Sequence, residues 1–103
     1  MKLIALYNTP PDPEAFERAY FETHVPLLKK VPGLTVIDVE RATRTIMGDE
    51  DLYMLAVMQF TSDAALKEAM KSAEMAAAGK NLNEFAHGLV TLVYAEEARI
   101  SNR

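Results

Sequence analysis

Apolar residues along this chain recur at two periods, alternate positions in some stretches and every third or fourth in others. The switches between the two mark six elements. Leu3 to Tyr7 is a short apolar run ended by Asn8-Thr9-Pro10-Pro11, a strand followed by a turn. Asp12 then stands as an N-cap, with Pro13 at the first helical position and Glu14 in the first turn. Beyond it Ala15, Phe16, Ala19, Tyr20, Thr23, His24, Leu27, Leu28 and Val31 gather on one helical face, opposite Glu14, Glu17, Arg18, Glu22, Lys29 and Lys30. Pro32-Gly33 stops this helix. Leu34 to Arg41 alternates, Thr35, Ile37 and Val39 against Val36, Asp38 and Glu40, and Gly48-Asp49-Glu50-Asp51 turns the chain back. Leu52 to Phe60 is apolar on both faces, with Leu52, Met54, Ala56, Met58 and Phe60 on one and Tyr53, Leu55 and Val57 on the other. Thr61-Ser62 caps a helix through Met70 and Ser72 caps a second piece through Ala78, which Gly79-Lys80-Asn81 interrupts. A last strand runs from about Gly88 to Tyr94, and the chain from Glu96 reads as a frayed tail.

The order β-α-β-β-α-β predicts an α+β, ferredoxin-like fold whose four-stranded antiparallel sheet carries both helices on one face. It occupies residues 1–103 as one domain. The opposite face of the sheet is left bare, although strands one, three and four are apolar on both sides. Such a sheet needs a second covering layer, and the chain has no further element to supply one. A second copy of the chain is the economical answer, so a homodimer is expected. A charge placed at Met54 should disturb the helix side, and one at Leu55 the dimer side.

Composition narrows the partners. A length of 103 residues buries roughly 65% of the unfolded chain's surface. A formal charge of −4 argues against nucleic acid or an anionic membrane surface as partner. Cysteine is absent, which removes disulfides, thiol nucleophiles and thiolate metal sites. The two histidines, His24 and His87, lack a close ligand spacing, so no metal site is expected. The first apolar run is too short for a signal peptide or a membrane span, and a cytoplasmic location is expected.

One histidine stands out. Phe16, Tyr20 and His24 fall about 40° apart in succession and about 6 Å apart along a helix axis, which puts His24 on the stripe a helix buries. Pro26 follows. It cannot donate to the carbonyl of Glu22 and disfavours helical geometry at Val25, so a kink with a freed carbonyl is expected. An imidazole among aromatics beside a kink is a place for chemistry, or for a packed core histidine donating to a backbone carbonyl.

Phe16-x3-Tyr20-x3-His24-x-Pro26, Val31-Pro32-Gly33-Leu34, Phe60-x-Ser62 and the closing apolar strand together resemble the EthD family within the dimeric α/β-barrel superfamily. The resemblance covers nearly the whole domain. It implies two sheets paired into a barrel, and a cleft between sheet and helices with His24 near it. Related barrels include polyketide cyclases, lactone isomerases, monooxygenases and haem-binding enzymes. Family members often carry an acidic residue before the last strand. This chain has Gly79-Lys80-Asn81-Leu82-Asn83 there, so a role for that acid as partner to the histidine is in doubt.

His24 is thus the candidate acid/base, since an imidazole can take and return a proton near neutral pH. Tyr20 and Tyr7 are candidate ligand contacts through their hydroxyls, against the reading of amphipathic packing residues. Met58, with Met54, Met70 and Met75, either lines an adaptable apolar pocket or belongs to the core. His87 either opposes His24 or is a turn residue. The leading expectation is a small cofactor-free isomerase, cyclase or lyase acting on an apolar carbonyl-bearing or phenolic molecule. The alternatives are a non-catalytic dimeric binding protein in the same cleft, or a haem-linked protein with His24 or His87 as axial ligand.

Overall fold

A computed structural model describes residues 1–102. Strand β1 (Lys2–Asn8) leads through Asp12, whose side chain accepts from the Ala15 amide at 3.2 Å, into helix α1 (Pro13–Ala19). A π turn (Tyr20–His24) joins α1 to α2 (Val25–Leu28). Strands β2 (Leu34–Arg41) and β3 (Leu52–Phe60) follow, then α3 (Asp63–Ala69), α4 (Ala73–Ala86) and β4 (Val90–Ala95). The strands form one antiparallel sheet in the order β2-β3-β1-β4. This is the expected α+β, ferredoxin-like arrangement.

Register assigns the faces. Leu3, Ala5 and Tyr7 lie opposite Met58, Ala56 and Met54, and all six are buried under the helices. Phe16, Tyr20, Leu28, Val31, Leu66, Ala69, Ala78 and Ala86 close the core from above. Lys2, Ile4 and Leu6 pair with Gln59, Val57 and Leu55, and Ile4 and Leu6 with Val93 and Thr91, on the side that no helix covers. Val36, Asp38 and Glu40 extend that side across β2.

Three local expectations need correction. Tyr53 does not share the open face with Leu55 and Val57. The β1–β3 register slips between Tyr7 and Asn8, leaving Tyr53 as the extra residue of a bulge, and a bulge re-aims its side chain. Its ring meets Phe16 edge-on at 5.8 Å, and its hydroxyl donates to Oε2 of Glu17 in α1. Secondly, Gly79-Lys80-Asn81 does not break α4. Glycine costs about 1 kcal/mol against alanine in a helix interior, but a buried stripe of Ala78, Leu82 and Ala86 spans it. Thirdly, the first helix does not simply kink at Pro26: it widens ahead of it, with the Val25 amide donating to the Tyr20 carbonyl five residues back.

Gly33 is a glycine the fold requires. Its φ is +79°, and a Cβ there would stand 3.1 Å from the Cβ of Ala65 at the start of α3. Its carbonyl accepts from the Thr61 amide at 2.9 Å. The Pro32-Gly33 turn is therefore held against the junction of β3 and α3.

Glu17 ties α1 to the sheet. Arg41 donates to its Oε1 from Nε at 3.0 Å and Nη2 at 2.7 Å, and Tyr53 holds the other oxygen. These bonds, Arg41 first, hold the Glu17 carboxyl below its ordinary range. A depressed carboxylate stabilises the fold above its unfolded pKa, and that contribution is lost as pH falls through the folded value. Glu17→Gln should therefore be less stable than the native chain at pH 7. Urea titrations should show the gap closing as pH falls below the ordinary carboxylate range. Met54→Ala, at a fully buried site, should cost roughly 2–5 kcal/mol in the same assay.

Candidate functional site

A cleft of about 200 Å³ lies between the sheet and the helices. Its floor comes from strand alternation: Leu3, Ala5 and Tyr7 of β1 and Met58 of β3 all face the helix side. Its roof is His24 and Leu28 from the first helical run, with Ala78, Gly79 and Leu82 of α4. Met70, Met75 and Leu92 complete the lining, and Met70 and Leu92 are exposed, so the cleft opens on their side.

His24 is 3% exposed, and its Nδ1 lies 3.0 Å from Oδ1 of Asn81 on α4. An amide oxygen can only accept, so in this arrangement Nδ1 carries the hydrogen and Nε2 keeps its lone pair. The ring packs between Tyr20 and Phe85, with centroids at 5.6 and 5.4 Å. Burial lowers the His24 pKa from its ordinary value, and the Asn81 bond partly offsets this. At neutral pH His24 is an uncharged base.

Tyr7 and Tyr20 meet edge-on at 5.7 Å. Burial pushes Tyr20 up to about 12, and burial followed by the proximity of Tyr20 raises Tyr7 further. Both stay protonated and can donate. Tyr20 is fully buried, and its hydroxyl is the buried side-chain polar atom without a partner among the described residues. A buried hydroxyl left unpaired is uncommon and needs a partner or a reason.

The sequence-predicted residues therefore fall as follows. His24, Tyr7 and Met58 line one cleft, and Tyr20 stands directly behind His24 and Tyr7. Of the other methionines, Met70 and Met75 line the cleft and Met54 does not. His87 ends α4 on the surface, its Nδ1 2.9 Å from Oδ1 of Asn83, and lies outside the cleft. The partner of His24 is Asn81 rather than a backbone carbonyl. Sequence reasoning passed over Asn81 as a helix breaker. The available signal was an asparagine, a poor helix-interior residue, between the inward-facing Ala78 and Leu82. Among the described residues no cluster of three or more His, Asp or Glu side chains could hold a metal, and no helix is long and apolar enough to cross a membrane.

Comparison with known proteins adds the following. The EthD domain profile matches residues 8–88. An uncharacterised 11.0 kDa protein from the thcB–thcC intergenic region of Rhodococcus erythropolis is 29% identical over 99 residues, 96% of each chain. The crystal structure of an ethyl tert-butyl ether D (EthD) family protein from Bacillus halodurans superposes with a TM-score of 0.87 at 41% identity, covering 94% of this chain and 97% of that one. A dimeric ferredoxin-like protein of unknown function from Jannaschia superposes with a TM-score of 0.66 at 20% identity, covering 94% of this chain and 100% of that one.

The His24–Asn81 pair makes a directional prediction. NMR titration of the native protein should place His24 below 6.5, the ordinary histidine value. Asn81→Asp puts a carboxylate where the amide oxygen lies and should raise that midpoint by about one pH unit or more. An Asn81→Asp midpoint equal to or below the native one would contradict the assigned contact.

Proposed function

The chain belongs to the EthD family, and from the geometry of its cleft we propose that it is a small cofactor-free catalyst of proton transfer, of isomerase, cyclase or lyase type. Its substrate is an apolar molecule carrying a carbonyl or phenolic oxygen. One observation carries this reading: a buried, uncharged imidazole on the wall of an apolar cleft, with one nitrogen anchored by Asn81 and the other left as a base.

The chemistry follows from those residues. Nε2 of His24 takes a proton from carbon next to a carbonyl, or from a phenolic O–H. Negative charge then grows on the substrate oxygen, where Tyr7, which lines the cleft, can donate without losing its own proton at neutral pH. Burial disfavours the imidazolium, so His24 returns the proton readily, to a second carbon or to a leaving oxygen. No redox co-reactant enters this balance. Met58 and Leu3 supply apolar contact to the rest of the molecule. The size of the cleft bears on the haem alternative. An apolar cavity of about 150 Å³ holds a single benzene. A cleft of about 200 Å³ would enclose only part of a four-pyrrole macrocycle at His24, which favours the smaller substrate, and His87 lies at the surface.

We read the working unit as a homodimer. Ile4, Leu6, Leu55 and Val57 make a half-exposed apolar strip on the uncovered face, with Val36 and Val93 beside it. The dimeric Jannaschia neighbour supports that packing. Leu55→Lys should release folded monomers in sedimentation velocity at micromolar concentration. A native protein that sediments as a monomer there would refute the homodimer.

Acetophenone serves as a probe for the chemistry, because its α-hydrogens exchange in D₂O when a base removes them. The native protein should accelerate that exchange, and His24→Gln and His24→Ala should each lose about 10²-fold or more while keeping the native circular dichroism. Binding of acetophenone without acceleration would replace catalysis by the carrier reading.

A further inference from the structure

Gly79 lies inside α4, yet nothing about the helix requires a glycine there. Its φ is not positive, unlike those of Gly33, Gly48 and Gly88. A Cβ built on it would meet nothing within 4 Å. Glycine is also the least favourable helix-interior residue after proline. Neither backbone geometry nor packing accounts for it. What Gly79 borders is the cleft, beside Met75, which lies one turn earlier on the same side of the helix. A side chain at position 79 would occupy space that is now part of the cavity or its opening.

The cleft itself limits what can enter. It is one-third larger than the roughly 150 Å³ that encloses benzene. Its polar lining groups are His24 and Tyr7, with the Tyr20 hydroxyl behind them. A single ring fits, with one short substituent and one oxygen function facing those groups. A second ring would project beyond that space through the opening beside Met70 and Leu92.

We infer that Gly79 is a specificity-determining residue, whose missing side chain leaves the room that lets a single-ring molecule with one oxygen function and a short tail occupy the cleft. This rests on the proposed reading of the cleft as the binding site.

Three phenols of increasing length test it by NMR chemical-shift titration: phenol, 4-ethylphenol and 4-phenylphenol. The native protein should bind the first two, and the third more weakly than 4-ethylphenol. Gly79→Leu should weaken 4-ethylphenol by about tenfold or more while changing phenol by less than about threefold. Gly79→Ala should raise the melting temperature of the ligand-free protein by about 4 °C or more, as relief of an unfavourable helical glycine requires. Lys80→Leu, on the exposed side of the same turn, should leave the discrimination as it is in the native chain.

An unchanged ratio of 4-ethylphenol to phenol affinity in Gly79→Leu would overturn the role of Gly79 and leave the cleft as the binding site. So would binding of 4-phenylphenol as tightly as 4-ethylphenol by the native protein. Failure of the native protein to bind any of the three phenols would instead overturn the cleft reading, and this inference with it.

Discussion

Pro26 has no amide hydrogen to donate, and the placement of His24 depends on how the helix absorbs that loss. An α-helix would need a bond from position 26 to the Glu22 carbonyl. Instead the backbone widens over Tyr20–His24, so that Val25 reaches the Tyr20 carbonyl, and a short α-helical turn resumes through Leu28. The widened turn resets the phase of the helix. Tyr20 and His24 are both buried, and Leu28 continues the stripe on the far side. From that turn the imidazole meets Asn81 across the helix interface. The one buried basic side chain among the described residues thus sits at the end of the widened turn that precedes Pro26.

The sheet imposes the second constraint. Its central strands, β3 and β1, carry apolar side chains in both directions, and the helices can cover one side only. On the covered side the packing is dense around Met54, Ala56 and Tyr7, then loosens toward Leu3, Met58 and Leu92, where the space left over becomes the cleft. Incomplete filling comes from small residues: Ala5 on the floor, and Ala78 and Gly79 overhead. The cavity therefore arises from side-chain size at a few positions and not from a separate loop or domain.

Element order, the caps at Asp12, Ser62 and Ser72, and the Pro32-Gly33 stop were legible because each depends on local chemistry within a few residues. The meeting of His24 with Tyr7 and Tyr20 was legible in outline, since helical and strand periods put all three on inward faces. What escaped depends on contacts distant in sequence. Asn81 reads as a helix breaker until the fold places it 3.0 Å from a ring 57 positions away. Tyr53 reads as an open-face residue until a one-residue slip turns it toward Glu17. Gly79 reads as an interruption because propensity weighs one residue, while the Ala78–Leu82–Ala86 stripe acts over about two turns. Sulfur side chains posed the same difficulty: Met54 and Met58 are alike in pattern, and only the taper of the packing separates core from cavity wall.

Among the described residues, the cleft is lined by no lysine, arginine, aspartate or glutamate, and its imidazole is uncharged at neutral pH. There is accordingly no charged lining group whose attraction dissolved ions could screen. Occupancy of such a site by an apolar molecule would depend on ionic strength far less than charge-guided binding does. Strongly hydrated salts such as sulfate favour it, because they drive apolar surface out of water. An apolar molecule held in a cleft of this kind would stay bound through swings of salt concentration that would release one held by charge.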